Sequence, residues 1–171
     1  NFSTDKMGTG LHTFPGFTVS ISPLQPESRG FVRVRSSDAR EAPAIQYNFL
    51  TKENDRRTVV DGLKMVRKLM NKSAMKPYVL AEHTPGARAI TDGDWLDDAR
   101  EVGGTVYHPT STCRMGQDAL AVVDDRLRVR GLAGLRVVDA SIMPNVVSGN
   151  SNAATIMIAE KAADLILADV R

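Results

Sequence analysis

The chain has 171 residues, with 22 Lys and Arg against 20 Asp and Glu, a net charge of +2, 42% hydrophobic positions and one cysteine. That length fits one domain or a piece of a larger protein, and the composition is that of a globular chain with a real core, neither disordered nor fibrous. A lone Cys113 excludes a disulfide framework, scattered charge with 5% aromatic residues gives no surface for nucleic acid, and no apolar run reaches the roughly 18 residues of a membrane span. No basic segment precedes an apolar one, so no export signal is expected. The chain begins at Asn1 rather than Met, which suggests a fragment.

The first predicted element is a strand over the β-branched and aromatic run Phe17 to Ile21. Pro23, Pro26 and Gly30 then turn the chain into a second strand, Phe31 to Arg35, and the period near two over Ala44 to Phe49 suggests a third. Together they predict an antiparallel sheet or meander. From about Lys52 the period lengthens: Val59, Leu63, Val66 and Met70 recur every three or four residues, which predicts an amphipathic helix with Thr51 available as its cap. The span from Lys76 to Ala89 carries Pro77, Pro85 and Gly86 and reads as a loop. Thr91-x-x-Asp94 resembles a capping box for a helix whose apolar face is Trp95, Leu96 and Ala99, ended by Gly103-Gly104. Further strands are expected at 105–109, 127–130 and 135–139. A final helix from about Ala153 to Ala168 is aliphatic on more than one face, so it is expected to be buried on several sides.

Only His12, His83 and His108 are available as imidazoles. None shares a helix face with another ligand at metal-binding spacing, so no metal site is expected, and His12 and His83 read as loop histidines. Cys113 lies five residues after His108 but reads as a small buried hydrophobe rather than a nucleophile. His108 ends an apolar run and is held by Pro109; a stiffly presented functional imidazole and a satisfied core histidine are both open readings. The Asn150-Ser151-Asn152 run precedes the last helix. Ordinary capping accounts for one asparagine, and a site at the positive end of the helix would use both.

Three stretches in order, HPTSTCRMG at 108–116, VVDDRLRVRGLAGLRVVDASIMP at 122–144 and SGNSNAATIMIAEKAADLI at 148–166, resemble the C-terminal region of the glucose-methanol-choline family of flavin-dependent oxidoreductases, nearest its choline and alcohol dehydrogenase branch. PLQPESRGFVRVRSSDAREAPAIQYNFL at 23–50 resembles the substrate-domain portion of the same family. The resemblance implies an α+β fold: an antiparallel substrate-domain sheet with packed helices, plus a C-terminal strand and helix that would complete an FAD-binding domain. It implies that residues 1–115 form the substrate-binding portion and 116–171 the segment returning to the FAD-binding domain. The N-terminal Rossmann unit is missing, because Gly8-Thr9-Gly10 lacks the strand-turn-helix context of a nucleotide fingerprint.

The same resemblance implies catalytic roles for His108 and Asn150 in oxidising a primary alcohol, choline-like or other. It implies FAD contacts by Asp139 and Ala140, largely through backbone groups, and by Ser151 and Asn152, with Tyr107 at the substrate. The expected partners are a small alcohol and the N-terminal FAD-binding region of the same protein. The isolated chain is expected to be inactive, to lack FAD, and to self-associate through the apolar faces of Leu135, Val137 and the last helix; a cytoplasmic location is expected, with membrane association open to the full-length protein. A non-enzymatic interaction domain is the alternative. The sequence departs from the family pattern at Ser111, where Gly is common, at Ala39, where Pro is usual, and at Ser151, where Pro is common in the choline branch.

Overall fold

The computed structural model describes residues 3–6 and 9–170; Asn1 and the Gly8 of the rejected nucleotide fingerprint lie outside them. It is an α+β structure with one two-stranded antiparallel sheet and three α-helices among the described residues. The chain divides into two compact units, the first comprising Asn1–Pro23 and Phe49–Val106, the second Leu24–Asn48 and Tyr107–Arg171. The 115/116 boundary falls inside the second unit.

Unit 1 is organised by two helices. Helix α1, Glu53–Met70, carries Glu53 and Asp55 in its first turn and Arg67 and Lys68 in its last, the charge order that its dipole favours. The expected stripe faces inward, with Val59 buried and Leu63, Val66 and Met70 half-buried, and Val60, which was not expected in it, is also buried. Thr51 is not the cap. The N-cap position falls on Lys52, which makes no side-chain cap bond, so Thr51 stands one residue too early to reach the first free N–H groups. Arg56 instead folds back onto the carbonyls of Leu50 and Thr51, each at 3.3 Å.

Helix α2, Asp92–Val102, begins with the predicted capping box: Asp94 N–H donates to Thr91 Oγ1 at 3.2 Å, and Thr91 N–H to Asp94 Oδ2 at 2.7 Å. It ends at Gly103, whose N–H donates to the Ala99 carbonyl at 3.0 Å. Gly103 has φ −67°, so glycine is needed here for room rather than for a left-handed turn: an added Cβ would lie 2.3 Å from the Ala99 oxygen. Trp95 packs with Val60 and Ala89, flanked by Leu63 and Leu96. Arg67 lies over the Trp95 ring at 3.9 Å, bonds Glu82 through two nitrogens at 2.8 and 2.6 Å, and donates to the carbonyls of Gly86 and Ala89 at 2.8 and 2.7 Å. One side chain thereby ties α1 to the 82–89 loop and caps the aromatic core. The expected strand over 17–21 does not form, Phe17 alone making an isolated bridge. Ile21 instead packs so tightly on α1 that a Cβ at Gly62 would lie 2.8 Å from it.

In unit 2, strands β1, Phe31–Arg33, and β2, Ala44–Gln46, pair antiparallel with Val32 opposite Ile45. The ribbon is shorter than expected and joins these two strands directly. A Cβ at Gly30 would meet the Gln46 carbonyl at 2.0 Å, so close backbone approach demands glycine at its start. Gln25 Nε2 donates to Ser148 Oγ at 2.9 Å, and Arg29 Nη2 to Asn145 Oδ1 at 2.5 Å.

The core of unit 2 is Val123, Leu127, Ile142, Met143, Ile158 and Ala162. The strands expected at 127–130 and 135–139 appear only as isolated bridges, Val123 to Val129 and Arg128 to Arg136, with a parallel one from Met115 to Val123. The reason is local: Leu127 at φ 63°, Gly131 at 80° and Gly134 at 75° bend the chain every few residues, leaving no room for a ladder. No strand forms at 105–109 either. Helix α3, Asn152–Val170, buries one stripe, Ile158 and Ala162 with Ala154 and Leu165 beside them, while Ile156, Met157 and Leu167 are 55–59% exposed. The expected burial on several sides is therefore not met within the unit, whose core reaches only one face of the helix. No described helix is long and apolar enough to cross a membrane.

Candidate active site

His108 and Ser151, 43 residues apart, meet in unit 2. The His108 Nδ1 lies 2.9 Å from Ser151 Oγ, and both residues are half-buried. Ser151 stands immediately before α3, and its carbonyl accepts from Thr155 N–H and Thr155 Oγ1, each at 2.9 Å. The residue facing the imidazole is thus anchored by the first turn of a helix. On the other side, Pro109 follows His108, and Tyr107 precedes it in the left-handed region at φ 61°. A bulky residue there is strained, and such strain persists only where surrounding packing fixes the backbone. Ser111, which stands where the family commonly has glycine, has φ 73°, the conformation that glycine adopts without cost.

A ring nitrogen bonded to a hydroxyl sets the chemistry of the other nitrogen. Where Nδ1 donates to Ser151 Oγ, Nε2 carries the lone pair; where the Ser151 hydroxyl donates to Nδ1, Nε2 carries the ring proton. No described residue bonds Nε2, so it is available to a ligand. Asn150 is exposed and makes no hydrogen bond among the described residues, and Asn152, the first residue of α3, is also exposed. Their amides flank Ser151 in sequence, at the end of α3 where backbone N–H groups lack intrahelical acceptors and the dipole is positive.

Asp139 caps the 3₁₀ turn Ala140–Ile142 by accepting from Ser141 N–H at 2.7 Å. Its carboxylate is thereby engaged, so what this segment offers an anionic group is backbone. Cys113 N–H donates to Ser141 O at 3.0 Å and Met115 N–H to Ile142 O at 2.7 Å, which stitches the chain after His108 to this turn. No hydrogen bond links Asp139 or Ala140 to the His108–Ser151 pair among the described residues. Tyr107 is 74% exposed. Cys113 is a free, half-buried thiol. Unit 2 also holds a cavity of about 500 Å³ lined by Asp124, Arg128, Leu135, Arg136 and Asp169 among others; it shares no residue with the His108 pair.

Two features escaped the sequence. Ser151 as the partner of His108 had no signal beyond its place between two asparagines. In unit 1, His12 and His83, read as loop histidines, converge on Asp5, which the sequence did not single out: Asp5 Oδ1 lies 3.0 Å from His12 Nε2 and 3.1 Å from His83 Nε2. Hydrogen bonds from His12 and then His83 hold the Asp5 carboxyl below its ordinary range.

A profile of the GMC oxidoreductase family matches residues 26–159. An alcohol dehydrogenase (acceptor) of Pseudomonas putida is 44% identical over 155 residues, which cover 91% of this chain and 28% of that protein. An oxygen-dependent choline dehydrogenase of Pectobacterium carotovorum is 45% identical over 151 residues, covering 88% of this chain and 27% of that protein. Among solved structures, an FAD-dependent oxidoreductase from Chaetomium thermophilum aligns with a TM-score of 0.81 at 32% identity, over 86% of this chain and 26% of its own. Pyridoxine 4-oxidase from Mesorbium loti aligns with a TM-score of 0.78 at 35% identity, over 82% and 28%. The chain spans about a quarter of the length of these relatives.

Proposed function

Since the chain belongs to the GMC oxidoreductase family, we propose that it forms part of a longer FAD-dependent oxidoreductase that oxidises a primary alcohol, choline-like or other, to an aldehyde. The observation that carries this reading is the 2.9 Å contact between His108 Nδ1 and Ser151 Oγ, which leaves Nε2 as the atom that can take the hydroxyl proton. The names of the relatives, an alcohol dehydrogenase and a choline dehydrogenase, support the substrate class.

The residues around α3's first turn suit a flavin. Exposed amides at Asn150 and Asn152, together with a positive helix end, complement the negative charge that a flavin carries when reduced. In this reading Ser151 and Asn152 hold the ring, and Asp139 and Ala140 approach the phosphate or ribityl part through backbone. When bound, FAD supplies the acceptor for the hydride that leaves the alcohol carbon. His108 Nε2 accepts the hydroxyl proton as the general base. Ser151 keeps the Nδ1 proton in place so that Nε2 stays basic. Asn150 donates to the substrate oxygen and orients the carbon, with Tyr107 beside the substrate. Residues 1–115 then serve as the substrate-binding portion and 116–171 as the segment returning to the FAD-binding domain. The exposed face of α3 takes the N-terminal FAD-binding region of the same protein, or a second copy when that region is missing.

The test uses the longer protein. It should purify with flavin absorbance that bleaches when a primary alcohol is added, and His108→Ala should lower turnover by roughly ten- to ten-thousand-fold, the range for loss of a positioned acid–base group, with an unchanged thermal midpoint. Unchanged turnover with lowered stability would return His108 to the role of a core histidine. The 171-residue chain alone should be colourless and inactive.

A further inference from the structure

The convergence of Asp5, His12 and His83 is independent of the flavin chemistry and lies in the other unit. Their ligand atoms, one from each residue, all fall within 4.8 Å of one another. The two imidazole nitrogens approach the same carboxylate oxygen, at 3.0 and 3.1 Å. Donors around a tetrahedral ion bound at ~2.0–2.1 Å stand ~3.3 Å apart, close to the two carboxylate–imidazole separations.

The surroundings are built rather than incidental. His12 Nδ1 is 3.0 Å from the hydroxyl of Ser3, which is only 5% exposed; a ligating imidazole characteristically uses its second nitrogen in this way. Ser3 is itself fixed, because His12 N–H donates to its carbonyl at 2.9 Å and a Cβ at Gly16 would lie 2.7 Å from its Oγ. The Phe14 ring stacks on His12 with centroids 4.5 Å apart and meets His83 edge-on at 5.1 Å. This leaves His12 with a side-chain exposure of only 12%, so its ring has little freedom to turn away. Thr4 and Thr9 hydroxyls, 2.8 Å apart, both bond the Lys6 carbonyl and close the turn that carries Asp5.

We propose that Asp5 Oδ1, His12 Nε2 and His83 Nε2 form a binding site for one divalent transition-metal ion of the zinc class, with water completing its coordination. Two imidazoles and one carboxylate suit borderline ions such as Zn²⁺. Mg²⁺ and Ca²⁺ prefer all-oxygen sets, and the lack of a thiolate disfavours Cu(I). The ion links Asp5 and His12 to His83, 78 and 71 residues further along the chain, so its binding should also stabilise unit 1 by mass action.

The experiment is a titration of the chelator-treated chain with Zn²⁺, followed by calorimetry, with Co²⁺ in parallel as a spectroscopic probe. One equivalent of Zn²⁺ should bind saturably and raise the thermal midpoint, and Co²⁺ should give visible ligand-field bands. His83→Ala and Asp5→Asn should each weaken binding by more than about tenfold. His83 is 56% exposed, so its replacement should leave the far-ultraviolet circular dichroism unchanged. His108→Ala and Cys113→Ser should leave binding as it is. Absence of saturable binding, binding unchanged in both His83→Ala and Asp5→Asn, or binding lost in His108→Ala or Cys113→Ser would each overturn the site.

Discussion

Unit 1 is held by two regular helices around one aromatic, whereas unit 2 is held by an irregular chain that hydrogen-bonds itself across long loops before α3 closes its core. In unit 1, Trp95 gathers Val60 and Ala89, and Arg67 covers its ring while binding Glu82 and two loop carbonyls. In unit 2, backbone groups do that work: Val129 N–H to Leu135 O, Arg130 N–H to Val122 O and Val137 N–H to Leu127 O at 2.9, 2.9 and 3.2 Å satisfy chain that never becomes a ladder. The lesson is about where precision comes from. Regular helices tolerate variation on their exposed faces, whereas single backbone bonds from Cys113, Met115 and Gly116 to Ser141, Ile142 and Val123 fix the chain that follows His108.

The strongest way to break this contrast is to remove one core side chain from each unit. Trp95→Ala should cost about 3–5 kcal/mol and Ile142→Ala about 2–5 kcal/mol in urea unfolding. The Trp95 loss should come with reduced helical signal, the Ile142 loss without it. Loss of helical signal in Ile142→Ala alone would reverse the assignment of which unit depends on its helices.

A smaller change sharpens the comparison inside unit 2. Ser151→Ala removes the hydroxyl from His108 Nδ1 while α3 keeps its first backbone bond, Thr155 N–H to Ser151 O. Nitrogen NMR of the His108 ring should change from one dominant tautomer, protonated at Nδ1, to a mixture, with stability altered by less than about 0.5 kcal/mol. An unaltered tautomer ratio would mean that the hydroxyl does not orient the ring.

The smallest effect concerns pH. The Arg114 guanidinium, bonded to both Asp118 oxygens at 2.8 and 2.5 Å, and the Leu120 N–H hold the Asp118 carboxyl well below the usual carboxylate range. A depressed folded pKa contributes stability above the unfolded value of ~3.9, and that stability is lost as pH falls from there through the folded value. The pair is exposed, so the contribution is modest and screened by salt. Asp118→Asn should flatten the stability profile of unit 2 below about pH 4 at low ionic strength and change little at neutral pH. An equally steep profile in the variant would assign the acid sensitivity elsewhere.

Legibility in the sequence followed the range of the interactions. The α2 capping box was readable because Thr91 and Asp94 bond each other across three residues. The stripe of α1 was readable because its repeat is local, although Thr51 was misplaced by one position where the helix starts after the left-handed Leu50. The strands over 127–139 were not, because β-branched composition does not reveal that Leu127 adopts a positive φ. The three motifs at the end of the chain carried the family, yet Ser151, a departure from the choline-branch pattern, is the residue that the fold turns onto His108.

By itself the sequence determined the helices and the family, since these rest on short-range periodicity and on contiguous motifs. Only the tertiary structure decided that His108 Nδ1 meets Ser151 Oγ, which face of α3 stays uncovered, and that Asp5, His12 and His83 share one point. The contacts of His108 with Ser151 and of His83 with Asp5 join side chains 43 and 78 residues apart, and at such separations contact is set by chain folding, with no imprint on local spacing.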